Sequence, residues 1–112
     1  MPVGDTTRLR HMLDAGREAV SFVEGKTRGD LNGNRQLALS LVKCIEIMGE
    51  AAANVGIETR QEHNEIPWQG VVAMRNRLIH GYFDIDLDRV WATVTKNVPA
   101  LLTALEEIIE SS

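Results

Sequence analysis

Apolar residues recur at three- and four-residue steps through most of the chain, which is the spacing of one face of an α-helix. From Asp5 or Thr6, both good N-cap types, Leu9, Met12, Leu13, Gly16, Ala19, Val20 and Val23 fall on one stripe, predicting a helix that ends near Gly25. Thr27 to Asn34, rich in glycine and asparagine, reads as a loop. A second helix is expected from about Arg35 to Val55, stopped by Gly56. Its stripe of Leu37, Leu41, Cys44, Ile45, Met48, Ala52 and Val55 is widened by Ala38 and Val42. So broad a stripe suggests burial on more than one side, either inside one bundle or between the bundle and a partner subunit. Small residues at Gly49 and at Ala51 to Ala53 would let another helix come close.

Ile57 to Asn64 reads as a turn or short helical fragment. Pro67, at the first helical position, opens a third long helix with Trp68, Val71, Val72, Leu78 and Ile79 inward and Gly81 at its exit. The segment 82–88 connects it to a fourth helix, from about Leu87 to Ile109, whose Val94, Val98, Leu101, Leu105 and Ile108 keep bundle spacing. Pro99 lies inside that helix and is expected to bend or interrupt it. β-Branched residues nowhere alternate with polar ones over a useful length. The expected fold is all-α: four antiparallel helices in an up-and-down bundle, with residues 1–112 forming a single domain.

Composition sharpens this picture. A chain of 112 residues with 44% hydrophobic residues has room for one modest core and is too apolar for disorder. No apolar run is long enough to cross a bilayer, and Met1 to Thr7 lack the basic and apolar regions of a secretory leader. The lone Cys44 can form neither an internal disulfide nor a zinc site. The cytoplasm is the expected location. No histidines and acids have metal-ligand spacing, so neither a metal nor a cofactor is expected. Sixteen acidic residues against twelve basic ones give a net charge of −4. That balance argues against a broad nucleic-acid binder, and no DNA partner is expected. A few arginines lining a cleft can still recruit a phosphate through their local field; Arg75, Arg77, Arg60 and Arg89 are the candidates, although Arg60 and Arg89 also fit solvated helix faces.

The chemistry is concentrated in Arg75-Asn76-Arg77-Leu78-Ile79-His80-Gly81-Tyr82. It joins a guanidinium that clamps phosphate with a planar fork to an imidazole, the side chain best suited to exchange protons at physiological pH. Cutting RNA without a metal needs little more: His80 as base or acid, Arg75 on the nonbridging oxygens, and Asn76 orienting the histidine or binding a phosphate oxygen. Five residues separate Arg75 from His80, so in an unbroken helix they would point ~140° apart. Either the helix ends near Ile79, or two copies of the motif face each other across a twofold axis. Glu46 and Glu50, one turn apart, can orient Arg75 or simply pair with Arg75 and Arg77. An Arg and a His at a helix end can equally serve only to cap carbonyls and pair with carboxylates.

The spacing Arg-Asn-x-x-x-His-x-Tyr in a small helical domain resembles the HEPN ribonucleases, and their HepT-like branch most of all. The resemblance extends over His11 to Ala15, Ile45 to Ala52, Ile66 to Trp68 and Met74 to Trp91. It implies a homodimeric, metal-independent endoribonuclease that uses Arg75 and His80 at a composite site. Its substrate would be tRNA or messenger RNA, and its product would carry a 2′,3′-cyclic phosphate. It further implies the toxin half of a type VII toxin–antitoxin pair, with a minimal nucleotidyltransferase as antitoxin and Tyr82 as the acceptor of AMP. Two other readings remain open: a noncatalytic helical subunit that presents substrate to a separate nucleotidyltransferase, and a purely structural four-helix dimer.

Overall fold

The computed structural model describes residues 1–80 and 84–111. Helix α1 spans Val3–Val23, a 3₁₀ turn covers Arg28–Leu31, and α2 spans Arg35–Ala53. A short α3 (Ile57–Glu62) leads to α4 (Trp68–Leu78). Two-residue strands β1 (Ile79–His80) and β2 (Asp84–Ile85) pair antiparallel, Ile79 with Ile85 and His80 with Asp84. The chain then continues through α5 (Leu87–Ala92), a π-helical turn (Thr93–Asn97) and α6 (Val98–Glu110). The four long helical runs are those expected, and the fold is an all-α, HEPN-like bundle. The small β ladder was not anticipated, because two residues are too few to carry an alternating pattern.

Local chemistry sets the boundaries. The Asn34 side chain accepts from the Leu37 amide at 3.0 Å and caps α2, a contact worth about 1 kcal/mol. In the preceding loop Thr27 and Asp30 form a reciprocal capping box around the 3₁₀ turn. Three expected end signals are displaced. Gly56 does not close α2, which ends at Ala53 with Asn54 as its C-cap, but stands as the N-cap of α3. Pro67 is the N-cap of α4 rather than its first residue. Helix α1 starts at Val3, so Asp5 is not its cap. Asp5 turns inward instead, accepting from the Thr59 hydroxyl at 2.6 Å and the Gly56 amide at 3.1 Å. Those two donors, the hydroxyl foremost, hold its carboxyl below the ordinary value.

Helix α2 is the centre of the molecule, packed on α1 along one side and on α4 along the other. Its wide stripe is therefore consumed within one chain: Leu41, Val42, Cys44, Ile45, Met48 and Ala52 are all buried. Cys44 donates to Glu18 at 3.5 Å, and burial, reinforced by that carboxylate, pushes its thiol up to about 12. Helix α6 packs against the far side of α1. Gly16 marks that contact, since a Cβ there would clash with Leu102 and come within 3.1 Å of Met48. It is a point of close approach between α1 and α6. Val90, Val94, Val98, Leu101, Leu105 and Ile108 fill the core as their spacing requires. Pro99 does not end this helix. The missing proline donor is accommodated by the widened π turn just before it, and the run stays helical across the junction. Among the described residues, no helix is long and apolar enough to cross a membrane.

Candidate active site

Helix α4 carries the motif on its last turn. Leu78 is buried and anchors the helix end, while Ile79 turns extended at φ −124° and ψ 125°, so the helix stops two residues before His80. The Asp86 amide donates to the Leu78 carbonyl at 2.7 Å, and the strand pairing carries the chain back beside the helix end. Arg75 thus stays on the helix while His80 stands on an extended backbone, the first of the two arrangements the spacing allowed. Gly81 and Tyr82 lie outside the described residues.

The α2 side is set by Gly49. A Cβ there would lie 3.1 Å from the Val71 carbonyl and 3.3 Å from that of Val72, so only glycine lets α4 lie this close to α2. The close approach brings Glu46 against Arg75, with Nε 3.0 Å from Oε2. Lys43 Nζ stands 4.0 Å from the other oxygen of Glu46. Glu46, Glu50, Arg75 and Asn76 line one shallow groove of about 390 Å³, together with Gly49, Ala53 and Val72. Val72, expected in the core, is 38% exposed here, and Met74 takes the inward position. Glu50 makes no ion pair among the described residues, and its carbonyl accepts from the Asn54 side chain.

His80 does not line that groove. Its Nε2 faces Asp86 Oδ2 at 3.8 Å, inside ion-pair reach but too long for a hydrogen bond. The same oxygen is 3.4 Å from Arg89 Nε, while Asp86 Oδ1 accepts from the Arg89 amide at 3.1 Å and caps α5. Arg89 was among the candidate cleft arginines, whereas Asp86 is the site residue that sequence reasoning missed, because its position opposite His80 depends on the strand pairing. Arg60, a candidate cleft arginine, is instead a structural clamp. It donates to the carbonyls of Ala52, Ala53 and Val55 at the end of α2, and its guanidinium lies 6.0 Å from the Trp68 ring centroid.

Chemically, the cluster holds its reactive groups loosely. Arg75 and Glu46 are 49% and 31% exposed, so their pair is worth about 0–1 kcal/mol in stability and serves to orient the guanidinium. Only Nε of Arg75 is engaged among the described residues, which leaves both Nη groups for a forked contact with an oxyanion. His80 is exposed, with the Asp86 carboxylate within ion-pair reach of its Nε2. Among the described residues no three His, Cys, Asp or Glu side chains converge as a metal site.

Residues 12–108 match the family model described as ribonuclease HepT-like. A candidate RNase of Caldanaerobacter subterraneus subsp. tengcongensis is 32% identical over 102 residues, covering 91% of each chain. A probable ribonuclease HepT of Thermococcus cleftensis is 33% identical over 95 residues, covering 81% of this chain and 86% of its own. A protein of Methanocaldococcus jannaschii, named as both a gamma-glutamylcyclotransferase and a candidate RNase, is 34% identical over 102 residues; these are 91% of this chain but 46% of that protein. No solved structure matches the chain.

Proposed function

This chain belongs to the HepT-like ribonuclease family, and from that premise we propose that it is a metal-independent endoribonuclease and the toxin half of a type VII toxin–antitoxin pair. The observation that carries the reading is the end of α4 at Leu78, which leaves Arg75 and His80 both exposed at one end of the bundle, each with its own carboxylate. In the reaction, a base takes the proton of the RNA 2′-hydroxyl and the 2′-oxygen attacks phosphorus. The bond to the 5′-oxygen breaks, and an acid protonates that oxygen. The products are a 2′,3′-cyclic phosphate and a 5′-hydroxyl. His80 serves as base or acid, and His80 of a second copy takes the complementary role. Arg75 holds the nonbridging oxygens, Glu46 fixes the guanidinium, and Asn76 and Glu50 complete the wall.

Control falls to Tyr82, two residues beyond His80 in sequence, as acceptor of AMP from a minimal nucleotidyltransferase. The added phosphodiester charge would compete for Arg75 and its bulk would fill the cleft. The reading is tested by incubating the purified protein with tRNA and messenger RNA in excess chelator and mapping the product ends. His80→Ala should lower the rate by roughly 10²- to 10⁴-fold. Arg75→Lys should fail as well, because the charge survives but the fork is lost. Activity that survives His80→Ala, or that disappears with the chelator, sinks the mechanism. Intact mass after coexpression with the nucleotidyltransferase decides the acceptor: an AMP adduct on the Tyr82→Phe protein would place modification elsewhere.

A further inference from the structure

Helix α4 has a second flank. At ~100° per residue, Arg77 lies ~200° around the helix from Arg75, and it faces α6 rather than α2. There, α4 and the run from α5 to α6 border a groove of about 520 Å³, a size typical of ligand sites. Buried Val71, Met74 and Leu101 contribute its floor. Gly70, Ala100 and Ala104 keep side-chain bulk out of it.

The lining charge is out of keeping with the whole chain. Arg77 from α4, Arg89 from α5 and Lys96 from the π turn all line the groove, against a single acid, Glu65, although the chain carries a net −4. Among the described residues, neither Arg77 nor Lys96 has an ion-pair or side-chain hydrogen-bond partner. The π turn is also what presents Thr93, Lys96 and Asn97 to the groove, and π turns recur at functional sites. Arg89 links the groove to the motif, because its partner Asp86 is also the carboxylate that faces His80.

We propose that the groove between α4 and α6 is an RNA subsite that holds the strand next to the scissile phosphate. Arg77 and Lys96 neutralise successive phosphates, and Arg89 exchanges Asp86 for RNA at the His80 end. A polyanion fits this lining better than a protein helix does, since unpaired cations above an apolar floor match a strand whose charge lies along one edge and whose bases lie along the other. The inference rests on RNA being the substrate of the Arg75–His80 site.

The test measures binding and cleavage separately. Binding of a labelled, non-cleavable 2′-O-methyl RNA octamer is followed by fluorescence anisotropy across a salt series. Arg77→Gln/Lys96→Gln should weaken binding on the order of tenfold and reduce the salt slope by about 1.4, for two lost phosphate contacts at ~0.7 each. Ala100→Trp, at an exposed position of α6, should weaken binding by filling the groove while leaving every cation in place. Arg10→Gln/Lys26→Gln removes the same charge elsewhere and should bind as wild type. Cleavage of a dinucleotide, too short to reach the groove, should fall less in the groove variants than cleavage of a longer RNA. If the wild type cleaves RNA while the groove variants bind the octamer like the control, the subsite is wrong and the nuclease reading stands; a protein occupant would give this result. Groove-dependent binding without any cleavage overturns the nuclease reading and leaves the groove as an RNA site. A wild type that neither binds nor cleaves overturns both.

Discussion

The Asp5 carboxylate ties the start of α1 to α3 through the Thr59 hydroxyl and the Gly56 amide. Because those donors depress its pKa below the ordinary 3.8, its contribution is complete above the unfolded-state value and is lost as pH falls through the lower folded-state value. Asp5→Asn should therefore cost about 1–3 kcal/mol at neutral pH, and the gap in melting temperature from wild type should begin to narrow below about pH 4 and close as pH falls through the lower folded-state value. Melts of both proteins across the acid range check this; a gap that persists in acid would mean that the ionised carboxylate is not what stabilises the contact. At this scale the sequence was only half legible. Asp5 presented itself as a cap because Asp is a capping type, and nothing local reveals a partner 54 residues away in Thr59. Arg75, Asn76, Glu46 and Glu50 could be named because helical spacing and residue chemistry are local signals. Asp86 could not be matched to His80 for the same reason that Asp5 could not be matched to Thr59.

Whole elements were easier to read, because each long helix buries a face whose period is written in its own residues. The boundaries that moved are those decided by another element: Gly56 serves α3 instead of closing α2, and Val72 lies beside the α2 groove rather than in the core. The proline signal in the last helix was legible, but a π turn rather than a break is the response when buried Val94 within the turn and buried Val98 just after it hold the run in place. Close approach is the element-scale property that positions the site. Gly49→Ala puts a methyl against two α4 carbonyls, and since backbone cannot step aside like a side chain, α4 must shift away from α2. The expected cost is about 1–3 kcal/mol of stability, with a larger loss in cleavage than in folding because Arg75 leaves Glu46. Thermal melts compared with cleavage rates check this. A variant with full activity and unchanged stability would show that the approach of α4 does not set the Arg75 geometry.

At the scale of the whole molecule, one chain separates what the reaction must bring together. Arg75 lines the α2–α4 groove, while His80 sits with Asp86 and Arg89 outside that lining. A base and an acid are both required, and the motif supplies a single histidine per chain. A twofold dimer that apposes the α4 ends provides the second histidine and a second arginine without any new element. The case no longer rests on the broad stripe of α2, since α1 and α4 already bury it. It rests on this division of the site and on the half-exposed Val72 beside Arg75. A standard interface takes about 800 Å² from each copy, roughly an eighth of the 6539 Å² that one chain exposes. Light scattering should therefore give twice the 12.4 kDa chain mass. Subunit mixing tests the site as well as the mass. A ninefold excess of His80→Ala chains, after exchange, leaves only about one wild-type chain in ten paired with another. Activity per wild-type chain should then fall by about the same factor. If it stays constant, each chain carries a complete site of its own, and a dimer found by mass alone would not be the catalytic unit.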